Sequence, residues 1–424
     1  MQPSKNFKPF FLNSNLSFGR AGGDTVESLL HPAAGNSGNS YITYALVKTV
    51  LGDFAGLSHI ANVYEYDFSA SARDAEFARA ECTHVFLVLQ DQIRIEESYG
   101  LRLPYENIVS FLKKCGKPVV IAGLGANSFG GFDPEFHKKL PPALVKFLRE
   151  ISGMCEKIGI RGEFTADVLD KLGISNFQII GCPSFFETGP GRRVEKPPFG
   201  ELNPVLTSPI VYRSGSVPAV MQDFLEKDLI NLSVFGKFTE EIRLEDYRRA
   251  KRGNLGIFFN PEKWKTFLGK YNFALGPRVH GSIAAINAGL PAVCTNTDSR
   301  AAEMCAFLKI PRLAEGSFAN YAAIPNARNF ADFIKRAYEA CDTETINAAY
   351  PKLFENYKNF ITSQGLPFNS GKCANSGLLS DIEMRGPTLS PLAAVLKLSG
   401  LECKRLFRRL SRSAAKRLLK RKRS

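Results

Sequence analysis

Short apolar runs alternate with segments of helical period along most of the chain. The runs at 85–89 and 118–122 have the length and β-rich content of buried strands, and 105–115 between them repeats apolar residues at helical spacing. Further strands are expected at 229–235 and 255–259. Because alternating strands and helices form parallel sheets covered on both faces, we predict an α/β fold.

A proline-rich segment interrupts this alternation. Residues 189–206 carry four prolines, a composition typical of a linker between domains. At 424 residues the chain is also too long for one core. We predict an N-terminal α/β domain at 1–188, with an irregular leader at 1–30, and a second α/β domain with closing helices at 207–364. Strand ends from both domains would line a cleft.

Positive charge is concentrated at the C-terminus. Of the formal net charge of +14, eleven lysines and arginines lie from residue 404 onward without any acid, so the remainder is nearly neutral. Residues 401–424 place apolar side chains on one side of a helix and bases on the other, the pattern of a helix lying on an anionic membrane surface. Residues 365–400, rich in Gly, Ser, Pro and Asn, should form a flexible strap. A solvated tail and a nucleic-acid arm are the alternatives, but binding nucleic acid needs no apolar stripe.

The remaining composition restricts the possible chemistry. None of the nine cysteines stands at C-x-x-C spacing and the histidines are scattered, so we predict no metal site and no cofactor. The N-terminus has no apolar signal segment, and no apolar run approaches about 18 residues. We therefore expect a reduced cytoplasmic protein, either free or held peripherally at the inner face of the plasma membrane.

Residues 272–296 contain the strongest candidate site. They read as a strand, a turn with Arg278 and His280, a helix of small residues that starts with Gly281 and Ser282, and a second strand. Ligands of open α/β sheets bind at strand ends, and the first turn of a helix favours anions. We predict an anion-binding, proton-transferring site. An ordinary turn with an exposed arginine and a hydrogen-bonded histidine is the alternative.

Other polar and glycine residues stand at predicted strand ends or helix starts and should line the same cleft. They are Asn36, Ser37, Asn39, Gly125, Asn127, Arg161, Glu163, Ser184, Arg300 and Glu303. For the Gly-Asn-Ser cluster at 35–40 a plain turn is the alternative. Arg161 and Glu163 could instead form a surface salt bridge, with Glu163 at a helix start.

Taken together, these segments resemble the polysaccharide pyruvyl transferase family between about residues 35 and 310. The matching pieces are Gly35-Asn36-Ser37-Gly38-Asn39, Gly123-Leu124-Gly125-Ala126-Asn127, Ile160-Arg161-Gly162-Glu163, Gly181-Cys182-Pro183-Ser184, Arg278-Val279-His280-Gly281, Gly289-Leu290-Pro291 and Asp298-Ser299-Arg300. The resemblance implies two Rossmann-like domains facing a cleft, similar to the GT-B glycosyltransferases. One departure is Asn39, where many members carry an acid, and this puts any acid/base role of that loop in doubt.

The resemblance also implies a reaction. A pyruvyl group would pass from phosphoenolpyruvate to two hydroxyls of a glycan or lipid-linked sugar, forming a pyruvate ketal and releasing phosphate in polysaccharide biosynthesis. Because the donor carries a carboxylate and a phosphate, we expect Arg278 and Arg161 to bind it, with Ser184, Arg300 and the helix start at 281–282. The acceptor side would comprise Asn36, Ser37, Asn39, Gly125, Asn127, Glu163 and Glu303.

His280 is the expected acid for the enol carbon, because imidazole titrates near neutral pH, or it steadies the leaving phosphate. Two other functions stay open. A GT-B nucleotide-sugar glycosyltransferase would share the architecture, because fold does not fix function. A non-catalytic membrane or nucleic-acid binding protein is the other, although Arg278 and His280 lying so close together argue against it.

Overall fold

A computed structural model describes most of the 424 residues. The described residues are 7–12, 16, 25–33, 35–54, 60–61, 71–95, 103–128, 130–209, 217–296, 298–313, 327–371, 374 and 386–421. Much of the predicted leader at 1–30, parts of the predicted strap at 365–400 and the last three residues of the predicted tail lie outside them.

The N-terminal half is built on one parallel sheet. Its strands are β1 (Pro9–Leu12), β2 (Ile60–Ala61), β3 (His84–Leu87), β4 (Ile93–Arg94), β5 (Val119–Leu124), β6 (Ala126–Asn127), β7 (Ile158–Ile160) and β8 (Phe177–Ile179). Six of them form the sheet in the order β2-β1-β3-β5-β7-β8, while β4 pairs with β6. The helices are α1 (Val26–Leu30), α2 (Ser37–Val50), α3 (Ser71–Glu81), α4 (Tyr105–Cys115), α5 (Pro142–Ser152) and α6 (Glu163–Lys171). β1 falls inside the leader that was expected to be irregular, because its short apolar run is buried in the sheet.

The C-terminal half carries a second parallel sheet. Its strands are β9 (Pro204–Leu206), β10 (Ala219–Met221), β11 (Leu255–Ile257), β12 (Phe273–Gly276) and β13 (Ala292–Cys294), in the order β11-β10-β9-β12-β13. The helices are α7 (Lys227–Phe235), α8 (Leu244–Lys251), α9 (Pro261–Leu268), α10 (Val279–Asn287), α11 (Ser299–Leu308), α12 (Ala327–Ala340), α13 (Thr343–Ser363) and α14 (Pro391–Arg421). The predicted α/β fold with parallel sheets is confirmed.

Two elements differ from the sequence prediction. The strand expected at 229–235 is wrong, because α7 occupies this segment. Asp223 and Glu226 form a capping box just before α7, and Gly236 ends it in the left-handed conformation, so local signals favour the helix. α14 begins at Pro391, before the predicted start at 401, because proline suits a first turn and the next five residues are apolar.

Helix α2 packs between the two sheets although it belongs to the N-terminal half in sequence. The ring of Tyr41 lies 5.9 Å from that of Trp264 in α9. One cluster of buried residues joins Tyr41 to Val205 of the second sheet and to Ile283 of α10. This continuous core holds the N-terminus of α2 against α10, where His280 lies.

Candidate functional site

The turn between β12 and α10 places His280 at the end of a buried strand. Gly276 has a φ of 145°, and a Cβ there would lie 2.5 Å from Oγ1 of Thr207, so the turn requires glycine. The same hydroxyl accepts a hydrogen bond from the Arg278 backbone N–H. Gly38 of α2 lies against the imidazole, since a Cβ at that position would be 2.9 Å from His280 Nδ1. His280 is therefore buried where α2 and α10 meet.

The imidazole of His280 is neutral in the free protein. Burial lowers its pKa to about 3, and the nearby Arg161 and Arg300 add to this effect, while Asp91 opposes it. Its Nε2 lies 3.6 Å from the Cys182 thiol. An anion bound beside Arg161 and Arg300 would offset their contribution and so raise the pKa of His280.

Arg161 is a buried cation, and two of its three guanidinium nitrogens have no hydrogen-bond partner among the described residues. It follows β7 directly and is 1% exposed. A Cβ at Gly125 would lie 2.6 Å from Cδ of Arg161, so glycine is needed for this close packing. Neither Nε nor Nη2 of Arg161 has a hydrogen-bond acceptor among the described residues. Because a buried charged group without a partner is costly, this edge of the guanidinium indicates a site for an anion.

Arg300 completes the cation group at the start of α11. Its Nη1 lies 3.1 Å from Asp91 Oδ2 and its Nη2 lies 3.2 Å from Asp298 Oδ2. Asn127 also donates to Asp91, at 3.2 Å. Burial disfavours the Asp91 carboxylate, but the neighbouring arginines hold its pKa below the usual range. We call Arg161, His280 and Arg300 the basic cluster. Asp91 and Asp298 both pair with Arg300, and within the described residues no acid forms an ion pair with Arg161.

The side chain of Arg278 is engaged elsewhere. Its Nη1 lies 2.6 Å from Asp223 and its Nη2 lies 3.3 Å from Glu226. Ser208 also donates to Glu226, at 2.7 Å. Arg278 still acts on Arg300 through charge repulsion. Its guanidinium is bound by two acids, whereas that of Arg161 has no acid at hydrogen-bonding distance in the part of the chain that the structure describes.

The loop before α2 mainly caps that helix. Asn36 accepts a hydrogen bond from the Gly38 N–H at 2.8 Å. The Ser37 N–H donates to the Gln222 carbonyl, and the Asn39 side chain donates to the Ala33 carbonyl. Thus the loop borders the basic cluster through Gly38, while its two asparagines bond within the N-terminal segment.

The other predicted residues divide into buried and exposed ones. Ser184 is buried near His280, since its hydroxyl lies 3.0 Å from the Cys182 sulfur. Gly281 packs against Thr207, and the buried Ser282 hydroxyl has no partner among the described residues. Glu163 is exposed in the first turn of α6 and therefore does not contribute to the buried group.

Glu303 lies behind the basic cluster, one turn along α11 from Arg300. Its carboxylate accepts hydrogen bonds from the Thr165 N–H at 3.0 Å and from the Thr165 hydroxyl at 2.8 Å. Burial raises its pKa to about 7, although these bonds and Arg161 oppose the shift. Glu303 therefore titrates close to neutral pH beside the candidate site.

This shift predicts a specific pH dependence of stability. Between pH 4.5 and 7 the folded chain keeps the Glu303 proton, whereas the unfolded chain has lost it. The protonated carboxyl group therefore makes its full contribution to the free energy of unfolding below pH 4.5, and this contribution is lost as the pH rises to 7. The total is about 3 kcal/mol. Glu303→Gln should remove this dependence, while the exposed Glu163→Gln should keep it. Melting temperatures from pH 5 to 8 would show this, and parallel curves for wild type and Glu303→Gln would contradict it.

Sequence reasoning missed four residues of this region. Asp91 stands shortly after β3, and a search of strand ends would have found it. The spacing of Asp223 and Glu226 is that of a capping box, which gives no hint that both bind Arg278. Cys182 lies in one of the segments that match the family, but nothing in that segment indicates that its sulfur contacts His280.

Within the described ranges, no group of three or more His, Cys, Asp or Glu residues is arranged to hold a metal ion.

The family model described as polysaccharide pyruvyl transferase matches residues 36–299, more than half of the chain. No curated protein matches the chain significantly. Among solved structures, the crystal structure of HepE from Anabaena in complex with UDP and glucose has a TM-score of 0.41 and 10% sequence identity. That match covers 85% of this chain and 99% of HepE.

Proposed function

Because the chain belongs to the polysaccharide pyruvyl transferase family, we propose that it transfers a pyruvyl group from phosphoenolpyruvate to a sugar. The acceptor would be a glycan or lipid-linked sugar whose two hydroxyls become bridged as a pyruvate ketal, with release of phosphate. The observation that carries the proposal is the buried Arg161 beside His280 and Arg300, because its Nε and Nη2 have no acceptor among the residues that the structure describes.

The basic cluster matches the charge of this donor. Phosphoenolpyruvate carries a carboxylate and a phosphate, and each can accept two parallel hydrogen bonds from one edge of a guanidinium. Arg161 offers such an edge, formed by Nε and Nη2. Arg300 and the first turn of α10 lie close by to bind the second anionic group. Arg278 would bind the donor only if its ion pairs with Asp223 and Glu226 were first broken.

Donor binding would also prepare His280 for proton transfer. The negative charge of the donor offsets Arg161 and Arg300, so it raises the pKa of His280 from its value of about 3 in the free protein. Protonated His280 gives its proton to the CH2 carbon of the enol, which becomes a methyl group. A sugar oxygen then bonds to the neighbouring carbon, and its proton returns to His280. The second hydroxyl displaces phosphate, to which its proton passes, and closes the ketal.

The acceptor side is assigned to the residues that border the cluster. Asn127 contacts Asp91 directly, and the loop 36–39 reaches His280 through Gly38. The asparagine side chains here could bond sugar hydroxyls through atoms not used in these contacts or by exchanging the contacts for the sugar.

Calorimetric titration of the full chain tests the donor assignment. We expect phosphoenolpyruvate to bind the wild type and to bind Arg161→Gln about 100-fold more weakly, because two hydrogen bonds to a charged group are lost. Arg252→Gln, which removes an exposed arginine after α8, is the control and should bind normally. Equal binding by Arg161→Gln would contradict the donor site. Binding of uridine or guanosine diphosphate sugars alone would favour a glycosyltransferase.

A further inference from the structure

Helix α14 has one face docked on the protein body. Ala394 and Leu398 are buried in the cluster that covers the second sheet. Further along the helix, Arg405 donates to the Ile242 carbonyl at 2.7 Å, and Arg408 forms an ion pair with Glu240. These contacts fix the orientation of the helix about its own axis.

The opposite face of α14 exposes large apolar side chains. They are Leu392, Val395, Leu396, Leu406, Phe407 and Leu410, which are between 42% and 73% exposed. At about 100° per residue they fall within an arc of about 120° centred opposite the docked residues. More than half of the exposed large hydrophobic side chains in the described residues lie on this face. They form two apolar patches on one side of a surface helix, at 392–396 and 406–410, with Ser399 and Cys403 between them, and exposed apolar surface of this extent is typical of an interaction site.

The charge around this face identifies the partner. From residue 404 to the C-terminus the sequence has eleven lysines and arginines and no acid. Lys404 and Arg409 are both exposed and flank the apolar arc on its two sides. No helix in the described ranges combines the length and apolar character that crossing a bilayer requires. An apolar stripe bordered by bases matches the boundary between acyl chains and anionic headgroups.

We propose that α14 docks the protein on an anionic membrane surface through Leu392, Val395, Leu396, Leu406, Phe407 and Leu410, with the flanking bases against lipid headgroups. The opposite stripe keeps the helix attached to the body, so docking carries the basic cluster to the membrane. A nucleic-acid arm would not need the apolar stripe, and a second copy of the chain would bring its own bases against these. The inference is independent of the proposed reaction.

Vesicle flotation of the full chain tests this proposal. We expect the wild type to float with vesicles of phosphatidylcholine and phosphatidylglycerol but not with phosphatidylcholine alone. The triple variant Leu406→Ser, Phe407→Ser, Leu410→Ser should bind at least tenfold more weakly, because it removes apolar contact and leaves every charge in place. Because all three positions are exposed, the variant should fold normally, and circular dichroism would check this.

A matched control removes apolar surface elsewhere. Phe199→Ser with Leu225→Ser changes two exposed apolar side chains outside α14 and should float like the wild type. Equal flotation of the wild type and the triple variant would overturn the proposal. So would a dimer that the triple variant converts to monomer, or salt-sensitive binding to duplex DNA without any binding to anionic vesicles.

Discussion

His280→Gln should reduce turnover by about 10²- to 10⁴-fold, the usual contribution of general acid catalysis. Glutamine keeps a polar side chain of similar length but cannot deliver a proton to the enol carbon. The affinity for phosphoenolpyruvate should change much less, because Arg161 and Arg300 remain to bind its charges. Phosphate release at saturating donor measures the turnover, and calorimetry measures the affinity. His137→Gln, in the short helix Phe136–Lys139, is the control and should retain activity.

The proposed mechanism also fixes the direction of the pH effect. In the free protein the pKa of His280 is about 3, so the imidazole carries no proton at neutral pH. With the donor bound its pKa should rise, and turnover should then fall as pH increases through that higher value. NMR titration of His280 with and without phosphoenolpyruvate would follow the shift directly. Near-wild-type turnover of His280→Gln, or an imidazole that stays neutral from pH 5 to 8 with donor bound, would contradict the assignment.

The basic cluster was largely predictable because its members share one local setting. Arg161 follows β7, His280 follows β12 and Arg300 follows β13. β7 belongs to the first sheet and β12 and β13 to the second, so the strand-end rule places each residue at the ligand-binding edge of its own sheet, and the packing of the two halves brings these edges together. A pattern of strands and turns therefore carries information about the site, even without knowledge of side-chain contacts.

The partners of these residues were not predictable, because they come from distant segments. Arg278 has the same local setting as His280, yet it is bound by Glu226, 52 residues earlier in the chain.

Helix α7 shows that the sequence pattern also leaves the type of some elements open. Its apolar run fits a buried strand or a buried helix equally well, and only the capping residues outside the run distinguish them. The spacing of apolar residues along the chain therefore does not determine which charged side chains pair, or whether a short apolar run is a strand or a helix.

The packing of α2 against the second sheet is another long-range feature, and a buried charge network supports it. Glu187 follows the short helix Pro183–Phe186, and its side chain is completely buried. Lys48 of α2 lies 2.7 Å from one of its oxygens, and Lys265 of α9 lies 2.8 Å from the other. Tyr41 also donates to Glu187, at 2.9 Å. One carboxylate thus links three segments beneath the candidate site.

Glu187→Gln should therefore destabilise the fold by about 3–5 kcal/mol, the usual result of removing one partner of a buried ion pair. The substitution keeps the shape of the side chain but leaves two lysines that are almost fully buried without their main counter-charge. For a chain of this length we expect the melting temperature to fall by about 3–6 °C. Thermal unfolding at neutral pH would measure this, with circular dichroism to confirm native structure before heating.

Glu262→Gln provides the matched control for this prediction. Glu262 lies 3.1 Å from Lys265, but its side chain is 40% exposed. Water can therefore solvate the groups that lose their partner when the carboxylate is removed. Its substitution should cost no more than about 1 kcal/mol. In the Glu187→Gln background, Lys48→Met should restore part of the stability by removing one of the stranded charges. Equal effects of the two glutamine substitutions, or no recovery in the double variant, would mean that packing rather than buried charge holds α2 in place.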